Sequence, residues 1–273
     1  MTTVQTPAAI VTAEDLEQLL TPPEALRPWI SEIAHLPTVR PTAAAFTHVP
    51  QAATTIVVRR EVGGGRDALV LGPRTRATYA DPNKPAGCTR IRLAPGAARS
   101  LLGVPAVELT DRVALLSDMP GVAGELAAAL AELAPEDVAP YLADELPRRL
   151  SEDATRRDHR RLLGSAVAVL DSAASIGELA SALAVSERQL RNLFTAGIGV
   201  SPKHYARIVR LRQVLSAAGN TPWSHLASAS GYYDQSHMTA DFRSLMGVPP
   251  TAYFRGEVPA PSPCQTVTRG FTN

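Results

Sequence analysis

Two stretches of this chain carry the same punctuation, and that duplication constrains the fold more than any other feature. In the first, Leu179-Ala180-Ser181-Ala182 leads to Phe194, Gly199, Pro202 and Tyr205; in the second, Leu226-Ala227-Ser228-Ala229 leads to Phe242, Gly247, Pro250 and Tyr253. From Phe to Gly to Pro to Tyr the steps agree residue for residue. A fixed period means that one supersecondary unit has been used twice; the offset is about 47 residues before the internal turn and about 48 after it, so the second turn is longer by one.

Caps and periodicity say what each unit is. Ser175 with Glu178 forms a capping box ahead of Ile176, Leu179, Ala180 and Leu183, which fall on one helical face. After only Ala184 and Val185, Ser186 with Gln189 forms a second box. Leu190, Leu193 and Phe194 then supply a buried stripe that Gly199 ends, leaving Arg188, Gln189, Arg191 and Asn192 outward. In the second unit Thr221-Pro222 starts a helix, Gly231 stops it, and Asp234 caps the next, whose core side is Met238, Phe242 and Leu245. Gln235, Ser236, Thr239, Ala240 and Arg243 face out.

Between the units Ser201-Pro202 opens a helix from Lys203 to about Ala217, with Ile208, Leu211, Val214 and Leu215 inward and Lys203, Arg207, Arg210 and Arg212 expected outside. At 1.5 Å per residue it is a rod of about 22 Å. Two helices joined by a short turn, with a polar and basic outer face on the second, is the arrangement that places a helix in the DNA major groove. A capped helix with an apolar stripe also suits a plain helical bundle, so one unit alone does not choose between the two. Two such units on one rod favour two reading heads about one DNA turn apart.

At these residues the chain resembles the AraC family of bacterial transcription regulators. The family's signature stands here as Gly231, Tyr232, Asp234, Ser236-His237, Phe242, Gly247, Pro250 and Tyr253, and SERQLRNLF with GVSPKHYARIVRLR fits its first half. The resemblance covers about Arg160 to Arg255 and implies a double helix-turn-helix domain. It departs at Asn192 and Ala240, where the family commonly carries Arg. The implied activity is sequence-specific DNA binding and regulation of transcription, more often activation, with double-stranded DNA and RNA polymerase as partners. His237 has two roles open to it: a base contact, or a hydrogen bond to backbone or phosphate from the turn-facing side of its helix.

Charge is shared unevenly. Through His159 the chain has 16 Lys/Arg against 20 Asp/Glu, whereas Arg160 to Arg255 has 10 against 5, so only the second part is built to seek phosphate. Its 273 residues allow two domains of ordinary size. Thr54 to Arg60, Ala68 to Leu71, Thr75 to Tyr79 and Thr89 to Leu93 read as short strands around a Gly63-Gly64-Gly65 turn. Helices are expected over Glu24 to Ile33, Val122 to Leu133 and Glu136 to Leu150, with a helical turn over Gly96 to Leu102; the start before about Thr21 reads as loose, with a short helix over Ala13 to Leu20 left open. The stripe Val122, Leu126, Leu130 and Leu133 suits either a dimer seam or packing on the β-rich body.

The expected fold class is therefore α+β: a flexible start over 1–21, a small β-rich body over 22–150 and a charged linker over 151–161. An all-α domain of two helix-turn-helix units joined by a long helix follows over 162–256, then a disordered tail over 257–273. GPRTRATY at Gly72 to Tyr79 and LAPGAARSLLGVPAVELTDR at Leu93 to Arg112 resemble the cupin-like sensor domain found ahead of one branch of the AraC-type regulators, which implies an effector-binding and dimerising role for the body.

Arg90 and Arg92 alternate on a strand, where they either face an anionic small-molecule effector or lie on a solvated face. Cys88 reads either as a redox or ligand contact or as a small buried thiol. His35, His48 and His159 are too widely spaced for a metal site, so no metal and no cofactor is expected.

The DNA-contacting set is Arg188, Gln189, Arg191, Asn192, Lys203, Gln235, Ser236, His237, Thr239 and Arg243. A DNA alkyl-damage repair enzyme with the same twin motif is the competing class, but its chemistry needs a zinc-held cysteine cluster that Cys88 does not supply. A small-molecule binding module without DNA affinity is a third reading. No catalytic constellation is found, the start lacks a leader, and no segment reaches membrane-spanning length, so a soluble cytoplasmic protein is expected.

Overall fold

The computed structural model describes residues 11–12, 17–37, 46–60, 65–80, 87–170, 175–218 and 221–260. Its β-rich part holds two sheets. One has three strands, β1 (Val11–Thr12), β4 (Phe46–His48) and β7 (Thr78–Ala80). The other is ordered β2 (Gln18–Leu20), β3 (Ile30–Leu36), β8 (Cys88–Leu93), β5 (Thr55–Arg60), β6 (Arg66–Leu71), β9 (Val113–Leu115). Register explains why this sheet holds. Ile33, Ile91, Ile56, Val70 and Ala114 stand opposite one another across five strands, all but excluded from water. That row faces the helices α1 (Ala98–Leu102), α2 (Ala106–Leu109), α3 (Val122–Glu125), α4 (Ala127–Glu132) and α5 (Pro135–Arg149), whose Leu101, Leu109, Leu126, Leu130 and Leu142 complete one core. Alternation sends the neighbouring residues Cys88, Arg90 and Arg92 to the other face.

The expected strands are present, with Thr75 to Tyr79 shortened to Thr78–Ala80. The helix expected over Glu24 to Ile33 is a single 3-10 turn, Glu24–Leu26, followed by β3. Pro28 removes a helical donor, and Ile30 and Ile33 find strand partners in β8. Within the start expected to be loose, with a short helix over Ala13 to Leu20 as the open alternative, residues 18–20 form β2, an edge strand paired with β3, and residues 13–16 lie outside the described residues. Most of the Gly63-Gly64-Gly65 turn and the tail from 261, with Cys264, also lie outside them.

The stripe over Val122 to Leu133 breaks at Leu126 into α3 and α4, and Leu126 and Leu130 are buried in the body's own core. It is packing, not a free seam.

The charged run 151–161 is not a linker. Asp153 caps α6 (Ala154–Val169) by accepting from Arg156 N at 2.8 Å, and Glu152 pairs with Arg160 at 2.8 Å while accepting from Ser100 Oγ at 2.9 Å. From Ala154 on the run is helical because Asp153 caps it, and the preceding acid, Glu152, is tied to α1.

Beyond α6 come α7 (Ile176–Ala182), α8 (Glu187–Ile198), α9 (Pro202–Ala217), α10 (Trp223–Ala229), α11 (Gln235–Met246) and α12 (Pro250–Phe254). The duplication extends to hydrogen bonds. Ala184 N and Val185 N donate to Ser181 O and Ala180 O, and 47 residues on Gly231 N and Tyr232 N donate to Ser228 O and Ala227 O. These bonds close the helix-ending turn of both units. The turn needs a left-handed residue, supplied by Gly231 (φ 70°) in one unit and by Ala184 (φ 53°) in the other.

Candidate nucleic-acid interface

In the first unit Ser186 Oγ accepts from Gln189 N at 3.1 Å, which fixes the start of α8. Leu190, Phe194 and Ile198 are buried beneath it, so Arg188, Gln189, Arg191 and Asn192 all stand exposed on its outer side. In the second unit the Asp234 carboxylate accepts from His237 N at 2.7 Å. Met238, Phe242 and Leu245 are buried, while Gln235, Ser236, His237, Ala240 and Arg243 are exposed and Thr239 is half-buried. The His237 ring meets Tyr232 edge-on at 5.4 Å, at the turn-facing side of its helix. Tyr232 is itself buried, and that burial pushes its phenol up to about 12. Lys203 is exposed at the start of the rod α9.

The rod's other cations are not where the apolar periodicity put them. Arg207 donates through Nε to Asp241 at 3.0 Å and through Nη2 to Ser244 Oγ at 3.1 Å. Arg210 lies 3.9 Å from Asp241 and 4.9 Å from the centroid of the Tyr232 ring, and Arg212 donates to Pro50 O at 3.4 Å. All three are half-buried and tie elements together. For Arg207 and Arg210 the cause is Asp241, a buried carboxylate on the inner side of α11. A buried carboxylate is held only where cations neutralise it. Asp241 escaped the sequence reading, although a signal existed: Met238, Asp241, Phe242 and Leu245 share one face, so an acid stood in an apolar stripe.

Both units are braced on the β-rich body. At α8, Gly197 O accepts from Gly96 N at 3.1 Å and Gly199 O accepts from Thr110 Oγ1 at 2.9 Å. At α11, Leu245 O accepts from Ala77 N at 2.8 Å and Met246 O accepts from Tyr79 Oη at 2.5 Å. Val49 and Tyr79 of the body share a core with Phe242 and Tyr253.

Arg90 and Arg92 do share a face, but they line different cavities. Arg90, with His48, Gln51 and Cys88, lines one of about 100 Å³ between the sheets. Arg92, with Ala98, Val167, Ile198 and Tyr205, lines another of about 230 Å³ between the body and the first unit. Each is partnered: Arg90 by Glu17 and, at 3.3 Å, Gln51; Arg92 by Glu32 at 2.9 Å. Burial and the nearby Arg74 depress His48 to about 3, so it is neutral at ordinary pH. Burial pushes the Cys88 thiol up to about 11, which keeps it protonated and chemically quiet. No group of three or more His, Cys, Asp or Glu suited to a metal ion occurs among the described residues, and no helix there is long and apolar enough to cross a membrane.

Comparison with known proteins follows this division. Residues 179–256 match the family described as Helix-turn-helix domain, and residues 18–114 match Domain of unknown function (DUF6597). The chain thus carries an AraC-type helix-turn-helix domain over 179–256, a DNA-binding domain of the kind found in transcription regulators.

Among curated relatives, the uncharacterized HTH-type transcriptional regulator YidL of Escherichia coli (strain K12) is 28% identical over 107 residues, 38% of this chain and 36% of that protein. The probable transcriptional regulator LumQ of Photobacterium leiognathi is 33% identical over 81 residues, 29% of this chain and 33% of that protein. The chain spans about a third of the length of each. Among solved structures, ToxT from Vibrio cholerae gives a TM-score of 0.40 at 11% identity, covering 82% of this chain and 97% of that one.

Proposed function

We propose that the chain is a sequence-specific DNA-binding transcription regulator, in which residues 162–256 read DNA and residues 22–150 act as a sensor body. The observation that carries this is the pair of capped helices, α8 and α11, mounted on one rod with polar and basic residues outward and apolar residues consumed beneath. Arg188, Gln189, Arg191 and Asn192 would approach base edges from α8, and Gln235, Ser236, Thr239 and Arg243 from α11, with Lys203 on phosphate. The edge-on contact with Tyr232 supports a turn-facing role for His237, holding backbone or phosphate.

The sixteen residues of α9 make a rod of about 24 Å, so the two heads fit successive major-groove faces on one side of the duplex. RNA polymerase, a small-molecule effector and a second copy of the chain are the further partners of this reading, with activation as the mode and the cytoplasm as the compartment. Arg90 is the effector-facing residue in the cavity between the sheets, and any anion there must compete with Glu17.

The test is a footprint and a salt titration on genomic fragments selected by the purified chain. Two protected patches about 10 base pairs apart, with affinity falling steeply as salt rises, are expected. One patch, or salt-insensitive binding, would remove the two-headed reading.

A further inference from the structure

The second reading helix does not look onto open solvent. Gln235, Thr239, Ala240 and Arg243 form one wall of a cleft of about 1240 Å³, and the wall opposite is the segment Arg76–Tyr79 of the β-rich body. That segment is anchored on both sides of Arg76. Before it, Thr75 N and Thr75 Oγ1 donate to the Asp111 carboxylate at 2.8 and 2.6 Å; after it, Ala77 N donates to Leu245 O at the end of α11. Arg76 itself is exposed between these fixed neighbours. Among the described residues that line the cleft, its guanidinium and that of Arg243 are the charged groups, and none is acidic.

A helix seated in a major groove about 12 Å wide has a phosphate strand along each flank. With α11 in the groove, a body segment beside it would stand next to a phosphate strand, and here the body places a cation between Thr75 and Ala77, which three hydrogen bonds hold in place. We propose that Arg76 is a DNA-contacting residue that holds a backbone phosphate beside the second reading helix, so that the β-rich body contributes directly to the DNA interface. The proposal rests on the reading of α11 as a groove-reading helix. It extends the contact surface beyond the helix-turn-helix domain and gives the position of the body a direct effect on affinity.

The experiment is a salt titration of the full chain on a selected duplex and a scrambled one, comparing wild type with Arg76→Ala, Arg76→Lys and, as a control exposed elsewhere on the same body, Arg27→Ala. Loss of one phosphate contact should lower the slope of log affinity against log salt by about 0.9 in Arg76→Ala, on both duplexes alike, with several-fold weaker binding at low salt. Arg76→Lys should keep the slope, and Arg27→Ala should change nothing. Unchanged slope and affinity in Arg76→Ala would overturn the proposal while leaving the two-headed reading intact. Tighter binding would overturn it too, showing instead that the segment blocks the groove. Salt-independent binding by the wild type would take down the parent reading and this one together.

Discussion

Phe194 against Tyr205 and Phe242 against Tyr253 set their ring centroids 5.7 Å apart in both helix-turn-helix units, at interplanar angles of 81° and 65°. The caps also correspond, Ser186 to Asp234, as do the left-handed helix ends at Gly199 and Gly247. The attachments do not. Where α11 carries the buried Asp241, the matching position in α8 is Leu193, packed in an apolar cluster. Gly199 is wedged against the β-rich body, whereas among the described residues an added Cβ at Gly247 meets only Pro259, at 4.0 Å. The outer face of α8 is exposed, and that of α11 looks across a cleft at Arg76. Duplication has preserved what each unit needs to fold and left free what each unit touches.

The largest effects should fall on what is shared. Phe194→Ala and Phe242→Ala each empty a fully buried site and should cost about 3–5 kcal/mol apiece in chemical denaturation. Markedly unequal losses would mean that the two cores are not equivalent.

Gly199→Ala and Gly247→Ala separate the attachments. Both impose a left-handed conformation on alanine, at about 1–2 kcal/mol. Only at Gly199 would the new Cβ also lie 2.7 Å from Thr110 Oγ1 and 2.9 Å from Ala106 O. The first substitution should therefore cost about 3 kcal/mol and the second about 1 kcal/mol, read from denaturant midpoints at constant slope. Equal costs would break the contrast.

Asp241→Asn tests the brace peculiar to the second unit. It leaves Arg207 and Arg210 without their carboxylate at a half-buried site, and should cost about 1–2 kcal/mol. Because the pair is largely buried, added salt should change the difference between wild type and variant little. A variant as stable as wild type would assign the joint between α9 and α11 to apolar packing alone.

The smallest effect is a gain. Ala184 sits at φ 53° where its counterpart is Gly231, so Ala184→Gly relieves strain and should add up to about 1 kcal/mol, offset in part by a freer unfolded chain. A loss would show that the first turn is held by more than its backbone.

The sequence by itself determined the repeat, the caps, the buried stripe of each unit and the outward residues of α8 and α11. Each of these depends on contacts three or four residues apart, or on a backbone preference that a single residue states. Glu24 to Ile33 passed for a helix because its periodicity is ambiguous over so short a run; pairing of Ile30 and Ile33 with β8, some 60 residues away, made it a strand. The run 151–161 is solvated, as its charges imply, but it is helical from Ala154, with Glu152 tied to Ser100 and Arg160.

Arg207 and Arg210 read as outward cations because the partner that draws them in, Asp241, lies on another helix. Arg90 and Arg92 read as a pair because alternation set them on one face, yet packing assigned them to separate cavities. Nothing local in GPRTRATY says that Arg76 stands beside α11. That follows from hydrogen bonds between residues more than 160 positions apart, Ala77 with Leu245 and Tyr79 with Met246, and only the packed chain brings them together.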